Sequence, residues 1–244
     1  IEVNSMRFVQ ILLCTGGLAA LTVLPAPFTE DPLPVCARSA YAAAPGEVSQ
    51  IKTVYAALQS FRASFEQTLT HQESGKKEVR TGTLLFRKPL LIRWETGGDA
   101  RELLVVTPAE IWNYVPDEEV AYRYPPDLVQ DSRSIIQVLT GQAALDKDFD
   151  IAAEGRKGGF RVLRLYPRDP TPQMVEAQIY LDGNGYIQRA DIVDFYGNHN
   201  DVRFTAFSPN APVRDRDFRF TPPKGVDVED RSQRKGVEER ELFK

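Results

Sequence analysis

The apolar positions of this 244-residue chain change period as the chain advances, and each change predicts an element. After Pro45-Gly46, the residues Ile51, Val54, Tyr55, Leu58 and Phe61 recur at helical spacing, which predicts an amphipathic helix with one apolar stripe. From Ala63 the period becomes two: Ala63, Phe65, Gln67 and Leu69 alternate with polar residues up to a turn at Gly75-Lys76. Short runs follow at Val79 to Phe86, Leu90 to Glu95, Glu102 to Val106, Ile111 to Val115 and Val120 to Tyr124, separated by Gly-, Pro- and Asp-rich turns. Pro125-Pro126 stops the series. Leu128, Ser132, Ile135, Ile136 and Leu139 then space out a second helix, which Gly141 caps. Strand patterning resumes at Phe149 to Ala153, Phe160 to Tyr166, Val175 to Leu181, Tyr186 to Phe195, Val202 to Phe207 and Phe218 to Phe220. Ten or eleven strands against two helices predict an α+β domain with one large antiparallel sheet, and accumulated twist curls a sheet of that size.

One stretch breaks the alternation. In GTLLFRKPLLIRWE, Gly82 to Glu95, Leu84, Phe86, Leu90, Ile92 and Trp94 share one parity, yet Leu85 and Leu91 lie on the other. A sheet with one solvated face alternates more regularly. A concave face is apolar when it encloses a core or a ligand, and a convex face when something covers it. Two helices are too few to fill the bowl of such a sheet, so an apolar ligand has room inside. Leu84, Phe86, Ile92, Trp94, Val105, Trp112 and Tyr114 are the expected lining, with an ordinary packed core as the alternative.

The N-terminal region reads differently. Met6-Arg7, the uncharged apolar run Phe8 to Leu24 and the small-residue stretch Ala40 to Ala44 have the order of a secretory signal, with residues 1–5 as an upstream mis-start. Cleavage after Ala42 satisfies the A-x-A rule; cleavage after Ala44 and an uncleaved anchor are the alternatives. Cys14 and Cys36 both fall within this segment, so the mature chain holds neither a disulfide nor a thiol nucleophile. Loss of residues 1–42 removes Arg7, Arg38, Glu2, Glu30 and Asp31 and leaves 28 basic against 31 acidic residues, a net charge of −3. That balance gives no footing for nucleic acid. Residues 45–228 form one domain, and the charge-rich segment 229–244 reads as a solvated, disordered tail.

Catalytic and metal chemistry find little support. His71 and His199 each sit at a turn, without a second His or Cys at ligand spacing. Neither a G-x-S-x-G elbow nor a phosphate-binding glycine loop occurs, and no cofactor is expected. The Asp182-Gly-Asn184-Gly stretch reads as a hairpin turn, since Tyr186 and Val193 occupy positions where a calcium loop needs oxygen ligands.

The segment from Phe65 to Val228 resembles the periplasmic outer-membrane lipoprotein carriers (LolA-type). The matching pieces come in family order: Phe65-Glu66-Gln67, Gly82-Thr83-Leu84, Arg87-Lys88-Pro89 with Trp94, Ile111 to Pro116, Leu165-Tyr166-Pro167, and Phe218 to Val228. The resemblance implies an unclosed antiparallel β-barrel with helices over its concave face as a lid, acting as a monomer. It implies acylated lipoproteins as cargo, an inner-membrane ABC transporter as donor and an outer-membrane receptor as acceptor. The resemblance adds Phe65, Ile135 and Leu139 to the lipid-contacting set. Family members hold the lid with an Arg just before the Pro of the strand break. Here that position is Lys88, with Arg87 one residue earlier on the opposite face, and Lys lacks the planar multi-donor geometry of Arg.

Energetics suit a carrier. Three acyl chains of roughly 15 methylenes, at ~0.8 kcal/mol each, sum to about 36 kcal/mol, beyond the practical ceiling of roughly 18–21 kcal/mol for reversible binding. A carrier that releases cargo therefore buries the chains incompletely and offsets binding by opening a lid. A carrier of another lipid and a lipid- or protein-sensing module of the same fold are the competing readings; a hydrolase lacks its nucleophile and base.

Overall fold

The computed structural model describes residues 45–98, 100–129 and 133–232. The expected export signal, and residues 233–244 of the expected tail, lie outside the described residues. The domain opens with α1 (Pro45–Ala57) and enters a meander of β1 (Ser60–Thr70), β2 (Lys77–Arg87), β3 (Leu91–Thr96), β4 (Glu102–Val106), β5 (Ile111–Val115) and β6 (Val120–Tyr124). A 3-10 turn and two short helices, α2 (Ile135–Leu139) and α3 (Leu145–Asp148), separate it from β7 (Phe149–Lys157), β8 (Phe160–Pro167), β9 (Glu176–Leu181), β10 (Ile187–Val193) and β11 (His199–Pro209). A final strand, β12 (Asp227–Asp230), brings the sheet to twelve strands in the order β12-β6-β5-β4-β3-β2-β1-β11-β10-β9-β8-β7. Every pairing is antiparallel except β12 on β6, and the sheet is unclosed, with edges at β7 and β12. The α+β fold with one large antiparallel sheet expected from the pattern, and the unclosed barrel implied by the resemblance, are the observed architecture, with one strand more.

Three elements differ from the sequence expectation. The first helix ends at Ala57, so Phe61, the last residue of the helical stripe, lies on β1 opposite Phe86. The second helix is cut to Ile135–Leu139, where Ser134 caps it by accepting from the Gln137 N–H at 3.2 Å. The expected strand at Phe218 to Phe220 is instead a 3-10 turn, Asp215–Phe218, followed by unpaired chain that crosses the sheet, because its apolar side chains pack on a face rather than along an edge. The expected tail also begins later: β12 runs to Asp230, and the Arg231 N–H donates to the Arg123 carbonyl at 2.8 Å.

Turn chemistry accounts for two of the hairpins. Asp182 Oδ1 accepts from the N–H groups of Asn184 and Tyr186, and Asp194 Oδ1 from those of Tyr196 and Asn198. Each carboxylate is thus consumed by its own loop. Among the described residues no three or more His, Cys, Asp or Glu are grouped to hold a metal ion, and no helix is long and apolar enough to cross a membrane.

Candidate functional site

Directly paired residues of an antiparallel ladder share a face, so the register separates the two surfaces of β1 to β6. Phe61 and Ala63 face Phe86 and Leu84, which face Ile92 and Trp94, which in turn face Val106 and Leu104. These residues form the inner face, together with Phe65, and none is more than 1% exposed. Phe65 reaches across to Trp94, with ring centroids 4.5 Å apart. That contact depends on Gly82: a Cβ there would lie 2.7 Å from the Phe65 ring and 2.0 Å from the Glu95 carbonyl oxygen.

The inner face continues onto β11 through a bulge. Between Ser64 and Phe65 the β1–β11 register shifts by a residue, so Phe204 and Phe207, three apart, both turn inward and stack at 5.7 Å. Phe207 contacts both Phe61 and Tyr186 at 5.1 Å, and Tyr186 meets Tyr55 of α1 edge-on at 6.0 Å. An aromatic path therefore links the helix to the sheet interior.

The cover over this face is fastened by directional contacts as well as by the buried side chains of Ile51 and Leu58, with Arg161 donating to Gln50 and Lys52 pairing with Asp146. The Tyr55 hydroxyl accepts from the Ile187 N–H at 3.1 Å, and its ring lies where a Cβ on Gly141 would sit, with Gly141 at φ +67°. Burial pushes the Tyr55 hydroxyl pKa up, so it stays protonated. Lys88 Nζ donates to the Tyr55 carbonyl at 2.6 Å and the Ala56 carbonyl at 2.9 Å, which places a cation on the C-terminus of α1. A flexible ammonium with rotatable donors suffices here because its targets are two successive carbonyls rather than a planar carboxylate. Ile135 and Leu139 of α2 are buried in the same core, and α2 lies against β10.

Arg87 does something else. Its guanidinium pairs with Asp215 at 2.6 Å and lies over the Phe218 ring at 5.6 Å, on the outer face. Of the two candidate rim residues, only Lys88 touches the helix.

Three expected lining residues also belong to the outer face. Val105 pairs with Arg93 and Trp112, and Tyr114 pairs with Leu103 and Ala121, all of the parity opposite to Trp94 and Leu104. The pattern misled because Glu102–Val106 is buried throughout, so parity cannot be read from hydrophobicity there. What covers Trp112 and Tyr114 is the chain after β11: Phe220 packs on Trp112 at 5.7 Å and Tyr114 at 5.4 Å, and Phe218 is 3% exposed. Trp112 Nε1 donates to Glu110, which also accepts from Arg123. Strands of this sheet can therefore be apolar on both parities, because each face has its own cover.

A groove of about 730 Å³ also lies on the outer face, bounded by Ser64, Thr83, Glu95, Leu103, Tyr114 and Thr205. Its walls mix hydroxyls and carboxylates with apolar surface from Leu103 and Tyr114, whereas the inner face of β1 to β4 is a continuous aromatic and aliphatic surface, so the apolar candidate site is the inner face. Sequence reasoning missed Phe61, Tyr186, Phe204 and Phe207; the aromatic spacing of the last two was visible, but the bulge that aligns them was not.

The geometry defines an architectural class: an open antiparallel barrel whose aromatic inner face lies beneath a helix held by Lys88 and Tyr55. Residues 56–221 match the family model described as outer membrane lipoprotein carrier protein LolA, and the chain belongs to that family, one of carriers rather than of enzymes. It is 27% identical over 185 residues to the outer-membrane lipoprotein carrier protein of Xanthomonas axonopodis pv. citri (strain 306), covering 75% of this chain and 88% of that one. Against the protein of the same name from Bordetella pertussis (strain Tohama I) it is 29% identical over 201 residues, covering 80% and 94%. Among solved structures, an uncharacterized conserved protein from Thermus thermophilus shares the fold, with a TM-score of 0.51 at 15% identity over 76% of this chain and 98% of that one.

Proposed function

We propose that this protein is a soluble periplasmic carrier that shields the acyl chains of lipoproteins and moves them from the inner to the outer membrane. The observation that carries this is the inner face itself, a continuous aromatic and aliphatic surface beneath a helix latched at Lys88 and Tyr55. Acyl chains would lie against Phe65, Leu84, Phe86, Ile92 and Trp94, with Ile135 and Leu139 contributing from α2. Because those sheet residues are buried in this structure, uptake requires the cover to move. The cost of moving it lowers net affinity into the reversible range. Donor and acceptor follow from the direction of transfer: an inner-membrane ABC-type release complex and an outer-membrane receptor. Catalysis has no part in this reading, since binding and release alone accomplish the transfer.

A transfer assay tests it. Purified protein incubated with energised inner-membrane vesicles should bring a lipoprotein into the soluble fraction as a one-to-one complex and then surrender it to outer-membrane vesicles. Recovery of a free glycerolipid with no lipoprotein would reassign the cargo, and the absence of any bound acyl species would remove the carrier assignment.

A further inference from the structure

The inner face is not wholly apolar, and its polar atoms are unevenly satisfied. Gln67 and Asn113 are 0% and 2% exposed, yet Gln67 Oε1 and Asn113 Oδ1 have no hydrogen-bond partner. Both lie on the inner face: Gln67 pairs with Arg80 and Val202, and Asn113 pairs with Leu104 and Tyr122. They flank the Phe65–Trp94 pair. Gln67 is the next inner-facing residue after Phe65, a step of roughly 7 Å along β1, while Asn113 shares the row of Trp94 and Leu104, two strands or roughly 10 Å away.

A buried carbonyl without a donor is costly, and native structures hold few of them. Two on one face, beside the aromatic pair, suit a guest that brings donors of its own.

We infer that Gln67 and Asn113 are polar subsites that accept hydrogen bonds from the amide N–H joining an acyl chain to a polypeptide and from the peptide N–H groups beside it. This rests on the carrier assignment above and sharpens it. An acyl ester linkage offers only acceptors where an acyl amide offers a donor, so the subsites would favour an acylated peptide over a glycerolipid whose chains fill the inner face equally well. Nothing covalent occurs; the selection is a difference in hydrogen bonding between two otherwise similar guests.

The test uses the full-length protein and three probes of equal chain length: an N-palmitoyl peptide, its ester isostere in which oxygen replaces the amide N–H, and a palmitoyl lysophosphatidylethanolamine. Tighter binding of the amide than the ester, by about fivefold for the single N–H exchanged, supports the subsites. That preference should fall toward unity when Gln67→Leu and Asn113→Leu are combined. Asn113→Leu should unfold at the same or higher denaturant concentration, since it removes an orphaned acceptor, whereas Gln67→Leu also forfeits the Gln67 Nε2 donation to Asn200 at 2.9 Å and should unfold at a lower one. If a variant fails to fold, the amide-to-ester ratio of the natural protein still decides. Equal binding of amide and ester overturns the subsites while leaving the carrier standing. Binding of the ammonium-bearing lipid as tight as that of the amide overturns the assignment to peptide N–H. If none of the three binds, the carrier assignment falls and the subsites with it.

Discussion

The two faces of β2 to β5 are built from the same few strands and both bury apolar side chains, but they are covered by different kinds of structure. The inner face lies under helices: α1 buries Ile51, Tyr55 and Leu58 in the core and is tied down by polar contacts, with Tyr55 accepting from the Ile187 N–H, Lys88 donating to two helix-end carbonyls, Arg161 donating to Gln50 and Lys52 pairing with Asp146. The outer face of β5 lies under a strap of irregular chain anchored by the rings of Phe218 and Phe220, with an ion pair from Arg87 to Asp215 at its margin. Both covers forfeit apolar contacts when they lift. The helices contribute no strand to the sheet, whereas the strap runs into β12, which pairs with β6. On the proposed function the inner face is therefore the one that opens, and the outer face stays a fixed part of the fold.

Substitutions sharpen that contrast, the largest effect first. Trp94→Glu and Ile92→Glu place a carboxylate on the inner face without a partner and should abolish uptake of an acylated peptide, with a stability loss of about 4 kcal/mol or more. Equilibrium denaturation and a binding titration would report both. Phe218→Ala should cost about 3 kcal/mol by the same denaturation, yet acyl-peptide affinity should stay within a factor of two, about the precision of such a titration. A large loss of affinity there would erase the distinction between the faces. Tyr55→Phe leaves the Ile187 N–H without its acceptor and should cost about 1–2 kcal/mol, while affinity rises because the cover opens more readily. Lys88→Met should act in the same direction with about 1 kcal/mol. Arg87→Gln touches an ion pair whose Asp215 side chain is 76% exposed and should be nearly neutral, below about 1 kcal/mol.

Much of this was legible in the chain. The short runs Glu102–Val106, Ile111–Val115 and Val120–Tyr124 coincide with β4, β5 and β6 to the residue, because Pro and Asp mark the turns between them. On β2 and β3, parity put Leu84, Phe86, Ile92 and Trp94 together, where the register places them. Parity failed wherever both faces are buried. Val105, Trp112 and Tyr114 could be sorted only by their partners across the ladder, and a ladder is a tertiary fact. Phe61 continued the helical stripe perfectly well, but pairing with Phe86 and Pro209 drew it into β1, a case of tertiary contacts overriding local periodicity. The strap was misread as a strand because Phe218 and Phe220 alternate, and alternation does not reveal whether chain pairs at an edge or lies across a face.

The chain's two tryptophans fall one on each face, which permits a direct test. Trp112→Phe leaves Trp94 as the only indole on the inner face, and Trp94→Phe leaves Trp112 on the outer face. Titrating each variant with an acylated peptide whose chain carries bromine, a contact quencher of indole fluorescence, locates the chain. The account predicts strong quenching of Trp94 and none of Trp112. Quenching of Trp112 with Trp94 untouched would place the acyl chains on the outer face and contradict it.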